Sequence, residues 1–337
     1  MKSCTKNTIN IFCLLILTFS LVSCSAKGEN QQNIETFNKV ELNTGAVIAN
    51  ENGTYSNYNY DNGKYKKIDD SQIIGLYNQK SGNYVGQIDG KYFSSYDNKK
   101  IDLDNVTSSD SDFKLSPGGQ KMSFFRDSDG INQPVIVNLQ DGLEAQFNPE
   151  ALISGTLLDF ISDNKLIYYG VKVDTKENGL FTYDLSTNKE ELLYKFKTGD
   201  AQFLKVLNDS IVFVQEIQND DRQLIKIDIN SNQSEVLSKN IVSVNDVVYS
   251  NGDYYVLGKL KNKSSSLFKI NKNLEKRLIF DFPQSIIVDS GLVADGDGNI
   301  LLIGSNVSQS QQEVYKCQSD GTISMIKDGA TEYNFVK

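Results

Sequence analysis

Asp295, Asp297 and Asn299 fall in the stretch DGDGN, and their D-x-D-x-N spacing is that of the opening of a calcium-binding loop. Such a loop needs Gly at its sixth position for a sharp turn and Glu at its twelfth to complete the oxygen shell. Here those positions hold Ile300 and Asn306. Stretches such as SDNK, LNDS, SNGD and PGGQ recur at the same place in other repeats of the chain, where Asn, Asp and Gly suit tight hairpins. We therefore read a turn and expect no metal, with a cation site on Asp295, Asp297 and Asn299 as the alternative. The chain has no histidine, which excludes His-based triads, His-containing zinc sites and His acid–base catalysis. Paired carboxylates could hydrolyse glycosides, but Asp and Glu are scattered and no pair stands out. No Gly-rich phosphate loop links a strand to a helix, and we expect neither catalytic residues nor a cofactor.

A second group of residues is suited to binding. Polar stretches occur at 126–130 (RDSDG), 172–179 (KVDTKENG), 217–222 (IQNDDR), 259–266 (KLKNKSSS) and 305–312 (SNVSQSQQ). The candidate binding residues among them are Arg126, Asp127 and Asp129; Lys176 and Glu177; Asp220, Asp221 and Arg222; Lys261 and Lys263. Loops held on a rigid scaffold are where recognition concentrates, and we expect a protein or peptide partner there. Solvated hairpin tips are the alternative. Arg126, Arg222 and Arg277 resemble the arginine cluster of sialidases, but the Ser-x-Asp-x-Gly-x-Thr-Trp boxes of that family are missing. The tyrosines of TYSNYNYDNGKYKK (54–67) could stack on sugars, although Tyr is also a favoured strand residue.

These stretches are positioned by a repeat. Residues 157–196, 203–237, 246–280 and 292–326 share one plan: strand, tight turn, apolar strand, polar loop, alternating strand, turn, final strand. The tight turn recurs at Gly45, Gly82, Gly119, Asn164, Asp209, Gly252 and Gly298. That near-constant period with four strands per unit predicts an all-β propeller over residues 37–337, with seven four-stranded blades and six or eight as alternatives. The first two units are compact, their middle hairpins reduced to ENGTY and IDGKY. Either TEYNFVK at the C-terminus or FNKVELN at 37–43 could close the ring, and the C-terminal strand is the expectation.

Residues 115–142, LSPGGQKMSFFRDSDGINQPVIVNLQDG, resemble the propeller repeat of TolB-like proteins, with Gly118 where that family has Asp. LVADGDGNILLIG is similar to NHL-type repeats. The resemblances imply the fold and carry no function, because propellers host many. Quinone-binding propellers have Trp-bearing motifs, and this chain has no tryptophan.

The N-terminus supplies an address. Lys2 and Lys6 precede an apolar run from Ile9 to Val22, too short to span a bilayer and laid out as a secretory leader. It ends Leu21-Val22-Ser23-Cys24, which resembles the lipobox of bacterial lipoproteins. The resemblance implies removal of 1–23, acylation of Cys24, a flexible linker over 24–36 and a membrane-anchored, extracytoplasmic protein. An ordinary leader with a chance cysteine is the alternative. Losing Lys2 and Lys6, and no acid, takes the net charge from −9 to −11, which disfavours nucleic acid and anionic lipid surfaces. Cys4 and Cys13 leave with the leader, so Cys317 is the one ordinary cysteine of the mature chain and has no intramolecular disulfide partner. Three readings stay open: a lipid-anchored binding module, a carboxylate-based glycan-binding or glycan-processing protein, and a structural lipoprotein.

Overall fold

The computed structural model describes residues 36–37, 39–68, 72–218, 220–306 and 311–337. The leader, Cys24 and most of the linker lie outside them. The described strands form seven antiparallel meanders, with two of them merged into one sheet. The first meander comprises Glu332–Phe335, Val47–Glu51, Thr54–Asp61 and Lys64–Lys67, and the second Ile73–Tyr77, Tyr84–Ile88, Lys91–Tyr96 and Lys99–Asp102. Ser111–Leu115, Lys121–Ser128 and Ile131–Asn138 make the third, whose fourth position is a single bridge from Val137 to Glu144. The fourth is Leu152–Ser162, Lys165–Lys172, Glu177–Asp184 and Lys189–Lys195. Ala201–Leu207, Ser210–Glu216 and Arg222–Asp228 begin the fifth. The long strand Ser234–Ser250 ends it with one half and, past Ile241, begins the sixth, which continues through Asp253–Leu260, Ser266–Asn271 and Leu274–Arg277. In the seventh, Ser285–Ile286 and Leu292–Ala294 both pair with Ile300–Ser305, followed by Gln312–Cys317 and Ile323–Ala330.

The apolar pattern of each strand follows what packs on its faces. In Lys165–Lys172 the middle of KLIYYGVK is buried on both faces, because sheets pack against it from either side. Seven hydrophobic clusters result, one for each pair of neighbouring meanders. Between the fourth and fifth, for example, Tyr169, Leu180 and Phe196 meet Leu204, Phe213 and Ile225. Between the seventh and first, Leu301, Ile303 and Val314 meet Val47, Tyr58 and Phe335, so the series returns to its start. First strands of successive meanders also touch one another. Meanders packed face to face in a closed series, first strands innermost, define a β-propeller.

The ring closes through the C-terminus. Glu332–Phe335 pairs antiparallel with Val47–Glu51 and takes the innermost position of the first meander. Among the described residues, the competing stretch at 37–43 forms no strand pairing with that meander. Phe37 packs on Tyr84 and Phe93 instead, and Leu42 enters the core between the first and second meanders. Each expected tight turn lies between a first and a second strand, except Gly45, which precedes a second strand whose first comes from the far end of the chain.

Candidate functional site

In an antiparallel meander, the turns joining strands one to two and three to four share one end, and the two-to-three loops share the other with the connections between meanders. All the candidate binding residues belong to that second, loop end. The reading of 126–130 as a loop is corrected. Arg126 and Asp127 lie within the strand Lys121–Ser128, and only Asp129 and Gly130 form the turn, with φ of 56° and 80°. An Asp-Gly pair with both residues left-handed makes the tight hairpin turn that fits strand twist, so the strands run on into solvent. Glu177 and Arg222 likewise begin strands, whereas Lys176 and Asp220 hold left-handed turn positions. Lys261 and Lys263 lie between strands, and part of 305–312 lies outside the described residues.

Side-chain pairing decides which charges meet. Lys261 Nζ lies 2.6 Å from Asp221 Oδ1, joining the loops of the fifth and sixth meanders. Arg126 is held within its own neighbourhood by Asp110 at 3.4 Å, Glu144 at 3.3 Å and the Asn105 carbonyl at 2.6 Å. Arg222 pairs with Glu216 at 2.6 Å and donates to the Val242 carbonyl. Arg277 donates to the Ile279 carbonyl and covers the Phe280 ring. The three arginines thus serve three separate meanders, each with local partners, and build no common anion site.

Sequence reasoning missed the apolar part of this end. Ile131, Leu152, Val173 and Phe280 are each 63–65 % exposed, with Phe282 nearby in sequence also exposed. Leu152 pairs with Val171, two residues before Val173, so these two side chains belong to one edge. These exposed apolar side chains stand at the same end as the fixed charges. An alternating hairpin reads the same in sequence whether its apolar side chain meets a core or the solvent, which hid this signal.

A buried latch supports that edge. Glu190 accepts hydrogen bonds from Tyr168 Oη at 2.6 Å and from the backbone N–H groups of Glu150 and Ala151 at 2.9 and 3.2 Å, and it lies 2.9 Å from Lys172 Nζ. Burial pushes its carboxyl up, but the bonds from Tyr168 and Lys172 outweigh that and hold it below its ordinary value. Bonding to Glu150 and Glu190 raises Lys172. The latch fixes the connection that leads directly into Leu152.

The DGDGN stretch lies at the opposite, tight-turn end. Asp295 is buried and accepts from the N–H groups of Asp297 and Asn299, from the Asn299 amide and from Tyr60 Oη. The Asn299 amide nitrogen lies 3.0 Å from Asp295 Oδ2, so Asn299 turns a donor, not an oxygen, towards the carboxylate. Burial, then Asp295, raises the Tyr60 phenol. Around this turn opens a cavity of about 280 Å³ lined by Asn43, Thr44, Asp61, Asn62, Gln79 and Asp297, among others. Among the described residues, no group of three or more His, Cys, Asp or Glu is placed to hold a metal ion.

On the inner strands, the carboxylates of Asp159 and Asp246 are both engaged by lysines and backbone N–H groups of neighbouring meanders. Cys317 ends the strand Gln312–Cys317, fully buried, and burial followed by Asp320 pushes its thiol up to about 12.

No family profile matches the chain, and no curated protein matches it significantly. Solved structures do match in fold. An oligogalacturonate lyase in complex with manganese superposes with a TM-score of 0.50 at 13 % identity, covering 85 % of each chain. A quinonprotein alcohol dehydrogenase-like protein from Bacteroides thetaiotaomicron gives 0.50 at 12 % identity, covering 87 % of this chain and 79 % of its own. TolB from Acinetobacter baumannii gives 0.48 at 9 % identity over 88 % of this chain and 81 % of its own. At such identities the likeness extends to the fold alone.

Proposed function

We propose that this chain is a lipid-anchored, extracytoplasmic binding module: a propeller of seven blades, one per meander, whose loop end holds a protein or peptide. The observation that carries the reading is the loop end itself, where exposed Ile131, Leu152, Val173 and Phe280 stand among braced charges. Acylated Cys24 would join it to the bilayer. Thr36 bridges to Lys99 beside the turn at Asp97 and Asn98, so the chain enters the propeller at the tight-turn end. A linker from Cys24 to Thr36 spans at most about 40 Å. Among the described residues no helix is long and apolar enough to cross a membrane. The test is capture of a partner by the full chain, compared with a variant whose inter-strand segments at 173–176, 217–221 and 261–265 are shortened to two-residue turns. The proposal expects loss of capture with the fold intact; undiminished capture by a folded variant would overturn it.

A second reading, glycan binding, is favoured by the cavity at the tight-turn end. It offers amides, carboxylates and a hydroxyl, a mixture of donors and acceptors suited to sugar hydroxyls. Titration with neutral, amino and acidic sugars tests it. Saturable binding lost in Asp297→Ala would support this reading, and an absence of binding across the set would remove it.

A further inference from the structure

One slot on the innermost strands carries alternating charge. Four to six residues before the tight turns it holds Lys114 in the third meander, Asp159 in the fourth, Lys205 in the fifth and Asp246 in the sixth. An innermost strand has no sheet partner on its axis side, so its free N–H groups need another acceptor. The carboxylates supply it. Asp159 Oδ2 accepts the Val206 N–H of the following meander at 2.8 Å and lies 3.8 Å from Lys114 Nζ of the preceding one. Lys114 also donates to the Leu158 carbonyl at 2.6 Å. Asp246 repeats the arrangement. Its Oδ2 accepts the Leu292 N–H of the seventh meander at 2.8 Å, and its Oδ1 pairs with Lys205 Nζ of the fifth at 2.6 Å. Each carboxylate also accepts the next N–H of its own strand at 2.8 Å, which fixes its rotamer.

The two clamps overlap in the fifth meander, where Val206 bonds backwards and Lys205 forwards. The series stops at glycines on both sides. Gly75 of the second meander has open space where a Cβ would be. Gly291 of the seventh holds φ 73°, and a Cβ there would lie 2.7 Å from Asp246 Oδ2, so any side chain would strike the clamp. The meanders joined in this way, third to seventh, are those in which the second and third strands extend or are separated by a long loop. In the first and second, two-residue turns suffice.

We propose that Lys114, Asp159, Lys205 and Asp246 are positioning residues, a belt that fixes the third to seventh meanders as one pre-organised binding surface. This rests on the loop end being the binding site, but its test needs no partner. Surfaces held in their bound geometry lose less entropy on association, which is what such a belt provides.

The experiment uses the full chain with spin labels on unnatural side chains at positions 176 and 263, the tips of the fourth and sixth meanders, and a control pair at 52 and 89 in the first and second. The belt predicts one narrow 176–263 distance distribution, broadened in Asp246→Ala, with the 52–89 distribution unchanged. The Leu292 amide should exchange roughly tenfold or more faster in that variant, the loss expected for a hydrogen bond to a charged group. Asp246→Asn keeps an acceptor for Leu292 but loses the ion pair. With Lys205→Met, it should give intermediate broadening and covers the case in which the alanine variant does not fold. An unchanged 176–263 distribution in the folded variants, or equal broadening of the control pair, would overturn the belt. Failure of partner capture with the distance result intact would sink the docking reading and leave the belt standing.

Discussion

At the scale of single residues, burial decides the chemistry. Cys317 is cysteine by type and inert by position, because a thiol raised to about 12 holds almost no thiolate at neutral pH. A maleimide should label Cys317 only after denaturation, and fast labelling of the folded protein would contradict this account. Glu190 is the opposite case, a buried acid kept charged by its donors. Because its carboxyl is held below the ordinary 4.5, its contribution is complete above that pH and is lost as the pH falls through the lowered value. Glu190→Gln should flatten this acid loss in a stability–pH profile, and an unchanged slope would refute the latch. Tyr168→Phe should cost about 1–3 kcal/mol by chemical denaturation, the range for a buried hydrogen bond to a charged acceptor. The Glu190 latch was not legible in the sequence. Glu190 lies in KEELLYK, where it and Glu191 read alike, and only the structure separates the buried Glu190 side chain from its exposed neighbour.

Elements were more legible, and for a physical reason. A tight turn demands particular residues, so Gly82, Gly119, Gly252 and Gly298, all with positive φ, mark the repeat directly. Strand length carries no such signature. Arg126 and Asp127 read as loop because a hairpin arm extending past the core is polar on both faces. Ring closure was legible only as a choice between two stretches of similar pattern, and it is Tyr333, fully buried, and Phe335 that seat the C-terminal strand. Tyr333→Ala should therefore cost about 3–5 kcal/mol, as for other large buried aromatics, and hydrogen exchange should rise first at Val47–Glu51, its pairing partner. Protection unchanged in that strand would mean that the closure contributes little. The belt was invisible for a different reason. Lys205 and Asp246 lie a full repeat apart, and nothing local in the sequence ties one to the other.

At the scale of the whole molecule, the two ends of the propeller differ in kind. One end is tight turns, acidic and amide-rich around the cavity, and receives the chain at Thr36. The other gathers the long hairpins, the braced charges and the exposed apolar residues. Leu152→Ser with Val173→Ser should leave stability within about 0.5 kcal/mol, since both side chains are already in solvent, while weakening partner capture. Sequence reading located the loop end through its polar residues and missed its exposed apolar ones. The most direct measurement is purification of the full-length, natively anchored protein in gentle detergent, wild type beside the Leu152→Ser/Val173→Ser variant, with co-purifying molecules identified and quantified. The account predicts a discrete protein at constant stoichiometry with the wild type and its depletion with the variant. Equal recovery with both, or recovery of glycan without protein, would contradict it.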